Sequence, residues 1–286
     1  MEVIVGKLAG FCGGVQRVVE GANKLTDENE KIYCLGEIVH NKEVINSLES
    51  KGMVTIESLD EVENGAKVIF RAHGVTKEVY EKAKSKNLEV YDLTCVNVIN
   101  VHKKIEKESE DSFIILIGDK NHPEVIGSAS FAKNGVYVVE TEEDVLDAYM
   151  EYEKNMIGQV KIFAQTTFDL KKFEDLVFEI NHNFAEAEVN VFNTICMATS
   201  SRQAEMIKMS KELDNMIIIG GKNSANTKKL VNISKENCEN VYHVQTVDDL
   251  KELNIDYSKI DKIGIMAGAS TPKDSIENIR IYLESL

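Results

Sequence analysis

Hydrophobic positions along this chain follow two alternating rhythms. The runs VIFRA (68–72), FIILIG (113–118), KIFAQ (161–165), NMIIIG (215–220) and KIGIMAG (262–268) are continuous and rich in β-branched residues. Such runs predict strands covered on both faces, as in parallel sheets. Between them the spacing changes to that of helices. Val15, Val18, Val19, Ala22 and Leu25 stand at i, i+3, i+4, i+7 and i+10, and Met206, Met209 and Leu213 at i, i+3 and i+7. The two prolines, Pro123 and Pro272, sit where a strand hands over to a helix, and a helix tolerates proline in its first turn. The alternation predicts an α/β fold.

The alternation is also written three times. One recurring station is a strand ending in Cys before a helix: Cys12 in GFCGGVQRVV, Cys95 in DLTCVNVINV and Cys196 in NTICMATSSRQ. A second is strand, Gly-x-x-x-His or Ser, helix, with Gly36 and His40, Gly118 and His122, Gly220 and Ser224. A third ends in a polar residue: His73 in RAHGV, Thr166 in AQTTF and Ser270 in AGASTP. Cys to second station spans 28, 27 and 28 residues, and second to third 33, 44 and 46. The repeats predict three pseudo-symmetric βα modules, residues 1–96, 97–195 and 196–286, with Cys95 at the boundary of the first two. Modules of roughly 90 residues have modest cores, so they are expected to lean on one another.

Charge narrows the partners. Of 286 residues, 33 are Lys or Arg and 48 Asp or Glu, a formal net charge of −15, which opposes nucleic-acid backbones and anionic membrane surfaces. No apolar run approaches the ~20 residues of a membrane span. The start, MEVIVGKLAGFCGG, reads as no signal peptide. Five cysteines fit a reducing compartment, and the expectation is a cytoplasmic protein. The acidic run ESLDEVENG (57–65) reads as solvated surface.

In parallel sheets, functional crevices lie beyond the carboxyl ends of the strands, where all nine station residues stand. Modules facing inward would gather Cys12, Cys95 and Cys196 within a ring of His40, His73, His122, Thr166, Ser224 and Ser270. Thiols ahead of helices are favoured as thiolates, and three of them suit Zn²⁺ or an iron–sulfur cluster with one iron lacking a protein thiolate. Any one of these cysteines alone reads as a small buried hydrophobe; the repeat favours ligation. Cys34 and Cys238 lack the station context and read as packing residues. The ring of imidazoles, hydroxyls and helix N-termini suits an anion, although Ser224 or Ser270 alone reads as a helix cap. His102, His182 and His243 have no such company and receive no role. Glu124, two residues after His122, occupies a position held by Lys42 and Asn226 in the other repeats. It is either a proton carrier or a first-turn carboxylate complementing the helix dipole.

The segments FCGGVQR, EIVHNKEV, RAHGV, LTC, NHPEVIG, QTT, ICMATSSRQ, GKNSANTKKL and AGASTP resemble, in order and over essentially the full length, the 4-hydroxy-3-methylbut-2-enyl diphosphate reductases (the IspH/LytB family). The resemblance implies three α/β modules with parallel sheets around a central [4Fe–4S] cluster held by Cys12, Cys95 and Cys196, its fourth iron open to the substrate's hydroxymethyl oxygen. It assigns His40, His73, His122, Ser224, Asn226 and Ser270 to the diphosphate, and Glu124 and Thr166 to hydrogen bonding and protonation at the hydroxyl end. The implied reaction is a two-electron, two-proton reductive dehydroxylation to isopentenyl and dimethylallyl diphosphates, the last step of the non-mevalonate isoprenoid pathway. A ferredoxin or flavodoxin is the implied electron donor. Two positions depart from the family pattern. Ala225 replaces a usual Ser, leaving its backbone N–H to face the diphosphate, and Val96 stands where Pro commonly follows the second cysteine. A Cys₃ zinc hydrolase and an iron–sulfur sensor are the rival readings.

Overall fold

The computed structural model describes residues 1–26, 31–155 and 158–286. Its strands form three four-stranded sheets, and every strand pairing is parallel. One sheet contains β2 (Ile32–Leu35), β3 (Met53–Ile56), β4 (Lys67–Phe70) and β5 (Glu89–Asp92), in the order β3-β2-β4-β5. The next contains β6 (Ser112–Ile117), β7 (Tyr137–Val139), β8 (Gln159–Ala164) and β9 (Glu188–Val191), ordered β7-β6-β8-β9. The last contains β10 (Asn215–Ile219), β11 (Asn240–Val244), β12 (Lys262–Ala267) and β1 (Glu2–Val5), ordered β11-β10-β12-β1. The three orders are one topology repeated.

Each of the five continuous apolar runs becomes a central strand, because a central strand is covered on both faces. In the β6–β8 pair, Ile115 lies beside Ile162 and Leu116 beside Phe163. Ile115, Ile117 and Ile162 join Leu176 and Ile180 of α7 (Leu170–Asn183) on one face. Ile114, Leu116 and Phe163 turn to the other, meeting Val101 and Ile105 of α4 (Val96–Glu108). Period-2 alternation thus feeds two cores from one apolar run. The expected helices form as α1 (Gly13–Thr26), where Val18 and Ala22 are buried, and α8 (Met197–Glu212), followed by Leu213. Pro123 opens α5 (Pro123–Ala129) at its first position. Pro272 is instead the residue capping α11 (Lys273–Glu284).

Two expectations need correction. The modules are not three consecutive thirds of the chain: β1 belongs to the sheet of the last third, with Val3 opposite Ile263 and Val5 opposite Ile265. β5 and β9 fill the matching edge in the other sheets; here β1 takes it. The run 57–65 is not simply solvated surface either. It forms a 3₁₀ turn, Leu59–Glu61, under a Ser58 capping box, with Leu59 and Val62 buried in the core of β2 to β4.

The chain divides into two compact units, residues 1–19, 39–48 and 197–286 in one, and residues 20–38 and 49–196 in the other. The first contains the β10–β12 and β1 sheet; the second contains the other two sheets.

Candidate active site

The three station cysteines make the same backbone hydrogen bond. Cys95 N–H donates to the Ala72 carbonyl (3.0 Å), Cys196 N–H to Thr166 (3.0 Å) and Cys12 N–H to Ala269 (3.3 Å). Each acceptor lies two residues beyond the third strand of its sheet: β4, β8 and β12 end at 70, 164 and 267. Each cysteine directly precedes a helix, respectively α4, α8 and α1. Cys12 Sγ accepts the Val15 N–H at 3.4 Å in the first turn of α1. All three are partly exposed, and none is in a disulfide. α4 begins at Val96 without a proline. Cys34 and Cys238 differ in every respect. Both are buried, burial raises both thiol pKa values (Cys34 to about 12), and each sulfur contacts a backbone carbonyl two residues on. They stay neutral packing residues.

The shared hydrogen bond also sets the register of the third station. His73 and Ser270 each follow the acceptor residue, whereas Thr166 is itself the acceptor. Thr166 therefore corresponds to Ala72 and Ala269, one position earlier than the sequence spacing placed it.

In the larger unit the structure gathers His73, Cys95, His122, Glu124, Thr166 and Cys196. The His73 and His122 rings meet edge to face with centroids 5.5 Å apart. His122 caps α5, its Nδ1 accepting the Glu124 N–H at 3.1 Å. A neutral ring so engaged carries its proton on Nε2, a donor for an anion. Glu124 is 2 % exposed. One carboxyl oxygen accepts the Thr166 N–H at 2.5 Å, and the other pairs with the Thr166 hydroxyl at 2.9 Å. Burial is the dominant influence, lifting its pKa to about 7 against the lowering effect of the two Thr166 bonds. The carboxyl thus exchanges its proton near neutrality, as a general acid must. A first-turn carboxylate serving only the helix dipole would have no need of burial or of a partner from β8.

The smaller unit places Cys12, His40, Ser224, Ala225, Asn226 and Ser270. Ser224 caps α9 (Ala225–Asn237), its Oγ accepting the Thr227 N–H at 3.3 Å, and the hydroxyl hydrogen stays available as a donor. Capping and anion binding are therefore compatible at this residue. Ser270 Oγ donates to the His40 carbonyl at 3.3 Å. Gly221 approaches the same carbonyl so closely that a Cβ would lie 2.6 Å from it; only glycine fits. Asn226 is buried, and among the described residues neither side-chain oxygen nor nitrogen has a hydrogen-bond partner. Such an amide costs stability unless something else satisfies it.

Sequence reasoning missed the supports. Arg202 is buried on α8, donating through Nε to the Leu8 carbonyl and through Nη2 to Gly10, both at 2.9 Å. One helical turn on, the Glu205 carboxylate accepts the Lys7 and Leu8 N–H groups at 2.7 and 2.8 Å. Together they clamp the loop that leads to Cys12. Gln165, buried beside Thr166, accepts the Asp119 N–H (3.1 Å) and donates to Thr167 Oγ1 (2.9 Å), tying the loop after β6 to that after β8. The available signal was polarity inside quoted motifs: Arg202 in ICMATSSRQ and Gln165 in AQTT.

No described helix is long and apolar enough to cross a membrane. Residues 3–284 match the family model described as LytB protein. The chain is 40% identical over 291 residues to the 4-hydroxy-3-methylbut-2-enyl diphosphate reductase of Aquifex aeolicus (strain VF5), covering 100% of this chain and 97% of that one. A solved structure of the E-1-hydroxy-2-methyl-but-2-enyl-4-diphosphate reductase from Plasmodium falciparum superposes with a TM-score of 0.87 at 31% identity, covering 100% of this chain and 87% of that one. Another solved structure, described as (E)-4-hydroxy-3-methyl-but-2-enyl diphosphate reductase, the terminal enzyme of the non-mevalonate pathway, gives a TM-score of 0.72 at 39% identity with both chains fully covered. With a family match over nearly every residue and full-length relatives of the same fold, the chain belongs to the LytB protein family.

Proposed function

We infer that this chain is a 4-hydroxy-3-methylbut-2-enyl diphosphate reductase, an oxidoreductase of the non-mevalonate isoprenoid pathway. The observation that carries the reading, beside the family match, is the buried Glu124–Thr166 pair with a carboxyl pKa near neutrality. Neither a packing residue nor a helix-dipole carboxylate explains it.

Cys12, Cys95 and Cys196 are the ligands of an iron–sulfur cluster. Three partly exposed thiols, each at a helix start and each held by the same backbone bond, fit three-thiolate ligation of a [4Fe–4S] cluster. Such a cluster, when bound, supplies electrons and a Lewis-acidic iron. The chain's own residues supply the rest. His40, His73, His122, Ser224, Asn226, Ser270 and the Ala225 N–H hold the diphosphate. Anchoring that end fixes the allylic hydroxyl, converting the encounter into a positioned, unimolecular event.

The overall change is R–OH + 2 e⁻ + 2 H⁺ → R–H + H₂O, where R is the allylic diphosphate. Cleaving the C–O bond leaves negative charge on the departing oxygen, and a proton must arrive as that charge develops. Protonated Glu124 donates through its O–H to Thr166 Oγ1, which turns the Thr166 hydroxyl hydrogen outward toward the substrate oxygen. The products are isopentenyl and dimethylallyl diphosphates, and a ferredoxin or flavodoxin delivers the electrons.

Anaerobic purification tests the reading. A brown protein bleached by dithionite, which consumes the hydroxylated allylic diphosphate under reductant, is the expected result. A colourless, zinc-loaded protein overturns it in favour of a hydrolase; a brown protein inert toward the diphosphate overturns it in favour of a sensor.

A further inference from the structure

His102 occupies a core position that an aliphatic residue would fill at lower cost. The buried stripe of α4 is Val98, Val101, His102 and Ile105, at i, i+3, i+4 and i+7. The imidazole stacks on Phe131 with centroids 4.3 Å apart and planes 17° from parallel. Two glycines lie near its Cε1–Nε2 edge. Gly74, directly after His73, has φ +77°, and a Cβ there would sit 2.9 Å from His102 Cε1 and 3.4 Å from Nε2. A Cβ at Gly127, on α5, would be 3.4 Å from the Val75 carbonyl oxygen and 3.8 Å from His102 Nε2. The ring therefore fills the space between the His73 loop and the helix that begins at His122.

Among the described residues, Nε2 has no hydrogen-bond partner. Burial pushes the imidazole pKa down to about 4, with Asp92 the charged group acting against that shift, so the ring is neutral at pH 7. A buried nitrogen without a partner costs free energy that leucine would avoid. The expense is explained if a second arrangement of the same parts gives the nitrogen its bond. The Val75 carbonyl, on the loop that carries His73 and facing the same point above Gly127, is the acceptor at hand.

We propose that His102 is a positioning residue for the diphosphate site, its Nε2–H bonding the Val75 carbonyl when a bound diphosphate draws the His73 loop toward α5. The proposal rests on the functional reading above for the identity of the anion. It makes binding of the anion and formation of a buried hydrogen bond one event, so His102 acts on affinity without touching the ligand.

The experiment compares His102→Leu, which keeps apolar volume and removes both nitrogens, with His102→Gln, whose amide nitrogen reaches close to the place of Nε2. Unliganded His102→Leu melts no lower than wild type, because no hydrogen bond is lost in that state. It binds inorganic diphosphate about three- to tenfold more weakly by calorimetry, as for a neutral hydrogen bond made only on binding. His102→Gln binds within about twofold of wild type. In wild-type protein the ¹⁵N signal of His102 Nε2 shifts when diphosphate is added. A purely structural ring predicts the reverse: a lower melting midpoint for His102→Leu and unchanged affinity. Either of those results overturns the proposal, and if His102→Leu does not fold, an unmoved Nε2 signal in diphosphate-bound wild type does so. Wild type that binds no diphosphate defeats the functional reading as well, which separates the two failures.

Discussion

The starts of α5 and α9 hold the same place in two copies of one topology, and they have been finished in opposite ways. Each follows the strand at the matching place in its sheet, β6 or β10, and each is capped by a side chain that accepts a backbone N–H, His122 in one and Ser224 in the other. Two residues past the cap, each carries a buried polar side chain of similar size, Glu124 or Asn226. Glu124 is completed from within by both hydrogen-bond donors of Thr166. Asn226 is left with both ends of its amide open among the described residues. A group that must hold and release a proton needs a fixed internal partner to set its affinity and path. A group that must grip a ligand needs its donors unspent. We propose that the difference suits Glu124 to proton handling and Asn226 to gripping the anion.

The largest test of this contrast is Glu124→Gln. The amide keeps the shape and loses the transferable proton, so turnover of the allylic diphosphate is expected to fall ~10²–10⁴-fold, with diphosphate affinity near wild type. Single-turnover rates and calorimetric affinity measured on one preparation check both halves. A normal rate would return Glu124 to a helix-dipole role worth ~0.3–1 kcal/mol of stability.

The same carboxyl makes stability depend on pH. Its folded pKa, about 7, lies above its ordinary value of 4.5, so between those values the native state binds the proton that the unfolded chain releases. The contribution is fully present below about pH 4.5 and is lost as pH rises through about 7, amounting to a few kcal/mol at ~1.4 kcal/mol per unit. Melting midpoints of wild type should therefore fall relative to Glu124→Gln across this window. Parallel curves would show that the carboxyl is not held protonated.

Asn226→Leu probes the other copy. Removing an unsatisfied buried amide should leave the unliganded melting midpoint unchanged or raised. Loss of its bond to a charged ligand, ~1.5–3 kcal/mol, weakens diphosphate binding by roughly ten- to more than a hundredfold. A lower melting midpoint with intact affinity would place Asn226 among the structural residues. The smallest effect is expected at Ala225→Ser, which restores a hydroxyl at the first position of α9. Diphosphate affinity should tighten by no more than about tenfold, the upper range for one neutral hydrogen bond, with turnover at saturation unchanged.

Residues also differ in how openly their roles were written in the chain. The central strands stood out because covering both faces demands unbroken apolar runs, whereas edge strands such as EVYD in β5 and EVNV in β9 are largely exposed and carry no such mark. The cysteines stood out through their spacing ahead of helices, and each donates its backbone N–H to a carbonyl two residues beyond a strand. Thr166 was found as a polar strand-end residue but one place out of register, because in this copy the polar residue is itself the acceptor, where the other copies carry Ala72 and Ala269 followed by His73 and Ser270. His102 carried no signal: a histidine on an apolar stripe reads as core, and only its neighbours show the nitrogen left over.

The sequence by itself determined what depends on neighbours within a turn or a strand: parallel α/β architecture, helix starts, and the chemical set of thiols, imidazoles, hydroxyls and one carboxyl. Tertiary structure alone decided what depends on residues far along the chain. It brought β1 to β12 across some 260 residues, closing a sheet that the linear order had left one strand short. It set Arg202 and Glu205 as the clamp on the loop before Cys12. It buried Glu124 against Thr166, 42 residues away, and so raised the pKa of a first-turn carboxylate to about 7. The physical reason is the same in each case. Propensity and periodicity are local, but desolvation and the choice of hydrogen-bond partner, which set pKa and leave a donor spent or open, belong to the packed environment.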